Sequence, residues 1–271
     1  MSKANFIDRI STLLKVIEPI PEMVELSNTI PYSIEGSRDP RSEWNIQLYR
    51  NGDARKAHNL IENNARIAKN YMYDTLRGNG PQLMDATLDS YRVEPKCQSQ
   101  AKALDVAKRY SKNYETVSEN GKGLILFGSV GTGKDHLMMG IAKKLYYHHK
   151  SVMWTNGTRL KARMRGCIGR EGESESDVIR DYVAPDFLWI SDPIIAGNPM
   201  TTFQTEFFHG IVDARYMEKK PILLTINVKD GDELEAALGA ASVDRMKSNG
   251  FAHYCNWKTE RRLASIDDLP L

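Results

Sequence analysis

The stretch Gly128-Ser-Val-Gly131-Thr132-Gly133-Lys134-Asp135 carries the densest chemistry in the chain. Its spacing, G-x-x-x-x-G-K, is that of a loop that wraps phosphate groups. Glycines let consecutive backbone N–H groups turn toward one anion. Lys134 adds a point charge for the β- and γ-phosphates, and a helix opening after the loop adds its positive end. The expected nucleotide contacts are Gly128, Val130, Gly131, Thr132, Gly133, Lys134, Asp135 and His136, with ATP or ADP and Mg²⁺ as ligands. One place departs from the pattern. Ser or Thr is usual where Asp135 stands, because its hydroxyl ligates Mg²⁺. A carboxylate is also a hard oxygen ligand, but it sets negative charge beside the phosphates. The plainest reading of that change is a decayed site.

A second set of ligands is expected at a strand end. Pro185-Asp-Phe-Leu-Trp-Ile-Ser-Asp-Pro193 has the form of a strand that ordinarily ends in two acids, the first holding metal and the second polarising water. Two registers fit. In one, Ser191 replaces the metal acid and Asp192 takes the water-polarising place. In the other, Asp192 is the metal acid and Pro193 displaces the base. The first keeps the usual strand length and is preferred. It leads to a hypothesis of exchanged ligands: the loop has an acid in place of a hydroxyl, and the strand has a hydroxyl in place of an acid. Asp135 and Ser191 would then flank one Mg²⁺. The opposing reading is two independent losses in a protein that no longer hydrolyses ATP.

The elements that must hold these residues follow from apolar periodicity. Phe6, Ile7, Ile10, Leu13, Leu14 and Ile17 have helical spacing, and Pro19 and Pro21 end that helix. Residues 42–77 read as two polar helices broken at Asn51-Gly52-Asp53 and stopped by Gly78-Asn79-Gly80-Pro81. A helix is expected over 98–117. Short apolar strands follow at 123–127, 152–155, 186–190, 222–226 and 251–256. Helices are expected between them at 137–149, 158–168, 202–217, 234–238 and 242–247. The stretch 171–178 reads as acidic and flexible. Alternation of short apolar strands with helices implies a parallel sheet covered on both faces, an α/β three-layer core. The domain division is 1–84, a small helical region, and 85–271, the α/β domain.

Composition narrows the classes. The 271 residues contain 41% hydrophobic and 27% charged residues, an ordinary globular balance that excludes a disordered or fibrous chain. With 37 Lys+Arg against 35 Asp+Glu, any nucleic-acid contact must be a local patch. Cys97, Cys167 and Cys255 form no C-x-x-C pair, so neither a disulfide scaffold nor a zinc knuckle is expected. A reducing cytoplasm is the natural setting. The polar start Met1-Ser2-Lys3 is unlike a signal peptide, and apolar runs fall short of the ~20 residues that span a bilayer.

Gly131-Thr-Gly-Lys-Asp-His-Leu137 resembles the loop of the DnaC/IstB group of AAA+ ATPases, which has Asn in the place of Asp135. Ser90-Tyr-Arg-Val-Glu94, the Leu238-Gly239 and Val243-Asp244-Arg245-Met246 segments, and Asn256-Trp257 are similar to other stretches of that family. The likeness covers roughly residues 85–262. It implies an AAA+ core with ATP bound by the loop, Asn227 orienting water or reading the γ-phosphate, Asp192 polarising water, and Arg245 acting in trans on a neighbouring subunit's ATP. Without the family, Asn227 is an ordinary turn-forming residue and Arg245 a surface ion pair with Asp244. The family's additional arginine is Ala241 here, which weakens the expectation of strong hydrolysis.

Arg159, Lys161, Arg163, Arg165 and Arg170 are uninterrupted by any acid, then Glu171, Glu173, Glu175 and Asp177 follow. Lys161 and Arg165 share a helical face by spacing. Such a run is most often a solvated face. The resemblance implies instead that Arg159, Lys161, Arg163 and Arg165 touch the backbone of single-stranded DNA. It further implies a replicative hexameric helicase as partner of residues 1–84, with Phe6, Ile10, Leu13 and Ile17 as the docking stripe, and ATP-dependent self-assembly. Two other readings stand beside the loader: a transposition helper of the IstB type acting on duplex DNA, and a non-hydrolysing adaptor that sequesters a helicase.

Overall fold

The computed structural model describes residues 54–167, 174–194 and 200–257. The expected helix at 6–17, Trp44, and the Arg170–Glu173 stretch lie outside them. Five strands form one parallel sheet in the order β2-β3-β4-β1-β5: β1 Gly123–Gly128, β2 Val152–Asn156, β3 Phe187–Ser191, β4 Ile222–Ile226 and β5 Gly250–Cys255. Alternate side chains of each strand enter different cores. Leu124, Leu126, Phe187, Trp189 and Leu223 pack on one face. Ile125, Leu188, Ile190, Ile222, Leu224 and Ile226 pack on the other. Both faces are covered, which is why the strands are apolar throughout rather than alternating. This is the α/β fold expected, and the strand bounds differ from expectation by one residue at most.

The first face is covered by α1 Ala54–Asn79, α2 Pro81–Met84, α3 Gln98–Lys112, α4 Tyr114–Glu119 and α5 Lys134–Tyr147; the second by α6 Gly157–Gly166, α7 Glu175–Val183, α8 Thr202–Met217, α9 Gly231–Leu238 and α10 Ala240–Ser248. Caps define several of these starts. Thr201 and Gln204 form a capping box at α8, and Asn156 Oδ1 accepts from Arg159 N at α6.

Three local readings differ from the sequence. The 98–117 helix divides at Asn113, whose side-chain amide donates to the Arg109 carbonyl and ends α3. The acidic stretch is helical from Glu175, because Ser174 and Asp177 cap each other's backbone N–H groups. Helix α1 runs past Gly78 to Asn79 instead of stopping before it. Gly78 lies against the Trp154 ring, where an added Cβ would come within 2.5 Å of Cζ3. The same helix buries Ala68, Met72 and Leu76 in the core that holds β1 and α5, and Thr75 Oγ1 donates to Val152 O at 2.9 Å. Residues 68–84 are therefore part of the packed α/β body. No helix among the described residues is long and apolar enough to cross a membrane.

Candidate functional site

The carboxyl ends of β1, β3 and β4 lie side by side, with Ser191 opposite Thr225 and Thr225 opposite Leu126 in register. In an open parallel sheet this edge is where ligands bind. The loop after β1 reaches it through glycines at positive φ: 134° at Gly128, 81° at Gly131 and 81° at Gly133. A side chain at Gly128 would collide with the Cys255 carbonyl, and one at Gly133 would press on Tyr91. Thr132 is buried; its hydroxyl donates to Ser129 O at 3.0 Å, and its carbonyl accepts from Tyr91 Oη at 2.9 Å. Ser129 Oγ donates to Asn256 Oδ1 at 3.1 Å, which ties the loop to the end of β5. Val130 is exposed at the loop's crest.

Lys134 opens α5 with its ammonium turned back into the loop. It donates to Ser129 O at 2.7 Å, Asn227 Oδ1 at 2.8 Å and Gly128 O at 3.1 Å. Burial pushes its pKa below the usual lysine value, opposed by Cys255, Asp192 and Asp135. Asn227 passes the connection on: its Nδ2 donates to Asp192 Oδ1 at 2.8 Å. Asp192 follows β3 with φ at 42° and is anchored by its N–H to Thr225 O at 2.8 Å. Its carboxyl pKa is raised to about 6, by burial first and by the Asp135 charge second, against Lys134 and Asn227. Lys134, Asn227 and Asp192 thus form one chain of hydrogen bonds from the loop to the strand ends.

Asp135 and Ser191 meet. Ser191 Oγ lies 3.2 and 3.1 Å from the two Asp135 oxygens. Thr225 Oγ1 also donates to Asp135 Oδ1, at 2.5 Å. Both hydroxyls are buried at strand ends, so the carboxylate is aimed by two separate strands. No motif marks Thr225 for this contact. Its signal was only its place, two residues before Asn227 on β4.

The donor set fits a nucleotide with its metal. Backbone amides, a desolvated ammonium and hard oxygens are gathered at one loop. Among the described residues no three His, Cys, Asp or Glu side chains form a cluster that could hold a metal without further ligands.

Other expected residues sit elsewhere. The His136 ring faces the 87–91 segment, with Nε2 2.9 Å from Thr87 O and 3.2 Å from Ser90 Oγ, and edge-on to Tyr91. Arg245 is on α10 and pairs with Asp213 at 2.6 Å, not with Asp244, while its guanidinium lies over the Tyr216 ring. It lines a recess with Gly121 and Gly123, at the start of β1. That is the end of the strand away from the loop, roughly 17 Å off at 3.3 Å per residue.

The basic run does not make one face. Arg159 and Arg165 are exposed, but Lys161 is buried, and Arg163 pairs with Asp181 at 2.6 Å. The spacing that groups Lys161 with Arg165 is corrected by depth: α6 packs Lys161 toward the body and leaves Arg165 at its free end.

No family model matches the chain. The replicative helicase loader DnaC of Escherichia coli K12 is 28% identical over 182 residues, which are 67% of this chain and 71% of that protein. The crystal structure of the DnaC helicase loader superposes with a TM-score of 0.56 at 22% identity, over 65% of this chain and all of that one. DnaI follows at a TM-score of 0.53 and 20% identity, over 65% and 93%. The loop, the sheet order and these likenesses show an α/β phosphate-loop core of the AAA+ fold, in a chain that is similar to DnaC over about two thirds of its length.

Proposed function

We propose that the chain is an ATP-dependent loader. In this reading it binds a hexameric replicative helicase through residues within 1–84, assembles with copies of itself, and delivers the helicase to single-stranded DNA. One observation carries it: Lys134, Asp135, Ser191, Asp192 and Asn227 converge on one loop, in a chain similar to DnaC over 182 residues.

Lys134 binds the phosphates by exchanging loop carbonyls and Asn227 for phosphate oxygens. Asn227, once released, orients water or reads the terminal phosphate. Asp192, kept in place by its backbone N–H, takes a proton from that water above its raised pKa. Asp135 and Ser191 would hold Mg²⁺, which supplies charge neutralisation at the phosphates. The pair keeps one carboxylate and one hydroxyl beside the loop with the two positions exchanged, and the 3.1 Å contact supports it. Arg245 serves a neighbouring subunit, since it lies at the far end of its own β1.

The test uses purified full chain with its helicase. Lys134→Ala should abolish ATP turnover. A chain lacking residues 1–53 should lose helicase co-purification while staying folded. The cut precedes α1 because Ala68, Met72 and Leu76 belong to the core. Turnover unchanged in Lys134→Ala, or full helicase capture by the shortened chain, would contradict the proposal. A second reading, the non-hydrolysing adaptor, is favoured by Asp135, Ser191, Pro193 and Ala241. It predicts helicase capture with ATP bound and no turnover. A preference for duplex DNA would point to the transposition-helper reading.

A further inference from the structure

Strand β2 is the outer strand of the sheet, and a cleft of about 570 Å³ lies beside it between α1, α6 and α7. That volume is in the range of about 300–1,000 Å³ typical of small-ligand sites. Its wall carries Tyr71, Trp154, Tyr182, Arg159, Arg163 and Asp181. Three aromatic rings and two guanidinium groups in one cleft are a strongly biased lining.

Two observations narrow the ligand. The Arg159 guanidinium carbon lies 4.8 Å from the Trp154 ring centroid, so one face of that indole already takes a flat, charged partner. The Trp154 ring also packs against Gly78 and lies edge-on to Trp189 at 6.3 Å. Trp154 is 9% exposed, yet its buried Nε1–H has no acceptor among the described residues. A buried donor left without an acceptor is rare and calls for an explanation. The cleft does not reach that N–H, so the indole serves the cleft through its ring face.

The charge around the cleft selects the rest of the ligand. Asp181 neutralises Arg163, while Arg159 at the wall and Arg165 on the last turn of α6 stay exposed. A flat ring joined to an anionic group fits this arrangement better than an aliphatic or acidic side chain.

We infer that this cleft is a nucleobase pocket: one base of a single-stranded nucleic acid stacks on Trp154, and Arg159 moves to the adjoining phosphate. The inference rests on the proposed contact between α6 and single-stranded DNA and deepens it. Phosphate contacts alone hold any strand equally, whereas a seated base makes binding depend on the bases themselves. Arg159 is then a positioning residue as well as a phosphate contact, since it keeps the ring face clear of other partners until the strand arrives.

The test is fluorescence anisotropy with the full chain, comparing a labelled oligothymidylate with an abasic strand of equal length. One stacked base contributes about 5- to 150-fold in affinity, so the abasic strand should bind at least about 5-fold more weakly. Trp154→Phe keeps a ring in the core but shrinks the stacking face. It should narrow that gap and leave the salt dependence unchanged. Arg159→Ala removes a phosphate contact and uncovers the Trp154 face, so it should weaken the abasic strand more than the intact one. Arg165→Glu lies outside the cleft and should weaken both strands alike. Equal binding of intact and abasic strands, with Arg165→Glu still effective, would overturn the pocket and leave the phosphate contact standing. No salt-sensitive binding of either strand would overturn both.

Discussion

The loop at the end of β1 and the arginine helix α6 differ in how their charges are held. At the loop, every charged group is tied: Lys134 to three oxygens within 3.1 Å, Asp135 to two hydroxyls, Asp192 to Asn227. On α6, four basic residues meet four different fates: stacked, buried, paired and exposed. Backbone geometry explains the contrast. The loop lies at the mouth of a parallel sheet, where strand ends from distant parts of the chain converge on it and supply a partner for each charge. A helix sends successive side chains about 100° apart, so a run of like charges is divided between core and solvent.

The largest effect is expected at the loop. Lys134→Ala removes the only described side-chain cation bonded within it, and should weaken ATP about 100-fold or more, as loss of charge-assisted hydrogen bonds requires. Isothermal titration calorimetry measures this directly. A loss of less than about 3-fold would mean that the loop amides bind unaided.

Next comes Thr225→Val, which keeps the shape and deletes the hydroxyl that donates to Asp135 at 2.5 Å. It should weaken Mg²⁺-dependent nucleotide binding about 10-fold, typical of a residue that orients a metal ligand, and leave binding in EDTA unchanged. Equal losses in both conditions would instead make Thr225 a packing residue.

The smallest effects are expected on α6, and they separate depth from charge count. Arg165→Glu should flatten the log–log salt dependence of single-strand binding by about 0.7 per lost phosphate contact. Lys161→Met should leave the slope unchanged, because Lys161 is buried. A shallower slope in Lys161→Met would return that residue to the binding face.

The same contrast explains what the sequence reveals. The sheet is legible because each strand is a short apolar run with both faces buried, and the loop because only glycines satisfy its backbone. The Asp135–Ser191 contact follows from treating the loop and the strand end as halves of one site, although 56 positions separate them. Thr225 is not legible, since its contact depends on the register of β4 against β3 and on how deep α5 sits. Helix α7 is missed when its acids are read as flexibility, although Ser174-x-x-Asp177 is a capping signature in plain view. Gly78 reads as a stop, but tertiary packing on Trp154 overrides its low helix propensity. The Arg163–Asp181 pair joins two helices whose approach no local pattern records.

The central claim is that Asp135 and Ser191 have exchanged roles around one metal. A double-mutant cycle of Mg²⁺-dependent ATP affinity tests it most directly, with Asp135→Ser, Ser191→Asp and the two combined. Asp135→Ser alone leaves hydroxyls at both exchanged positions and should weaken Mg²⁺-ATP about 10-fold or more. The double variant restores one carboxylate and one hydroxyl and should recover most of that loss. Unchanged or tighter binding in Asp135→Ser alone would contradict the exchange and leave a site that has lost its metal chemistry.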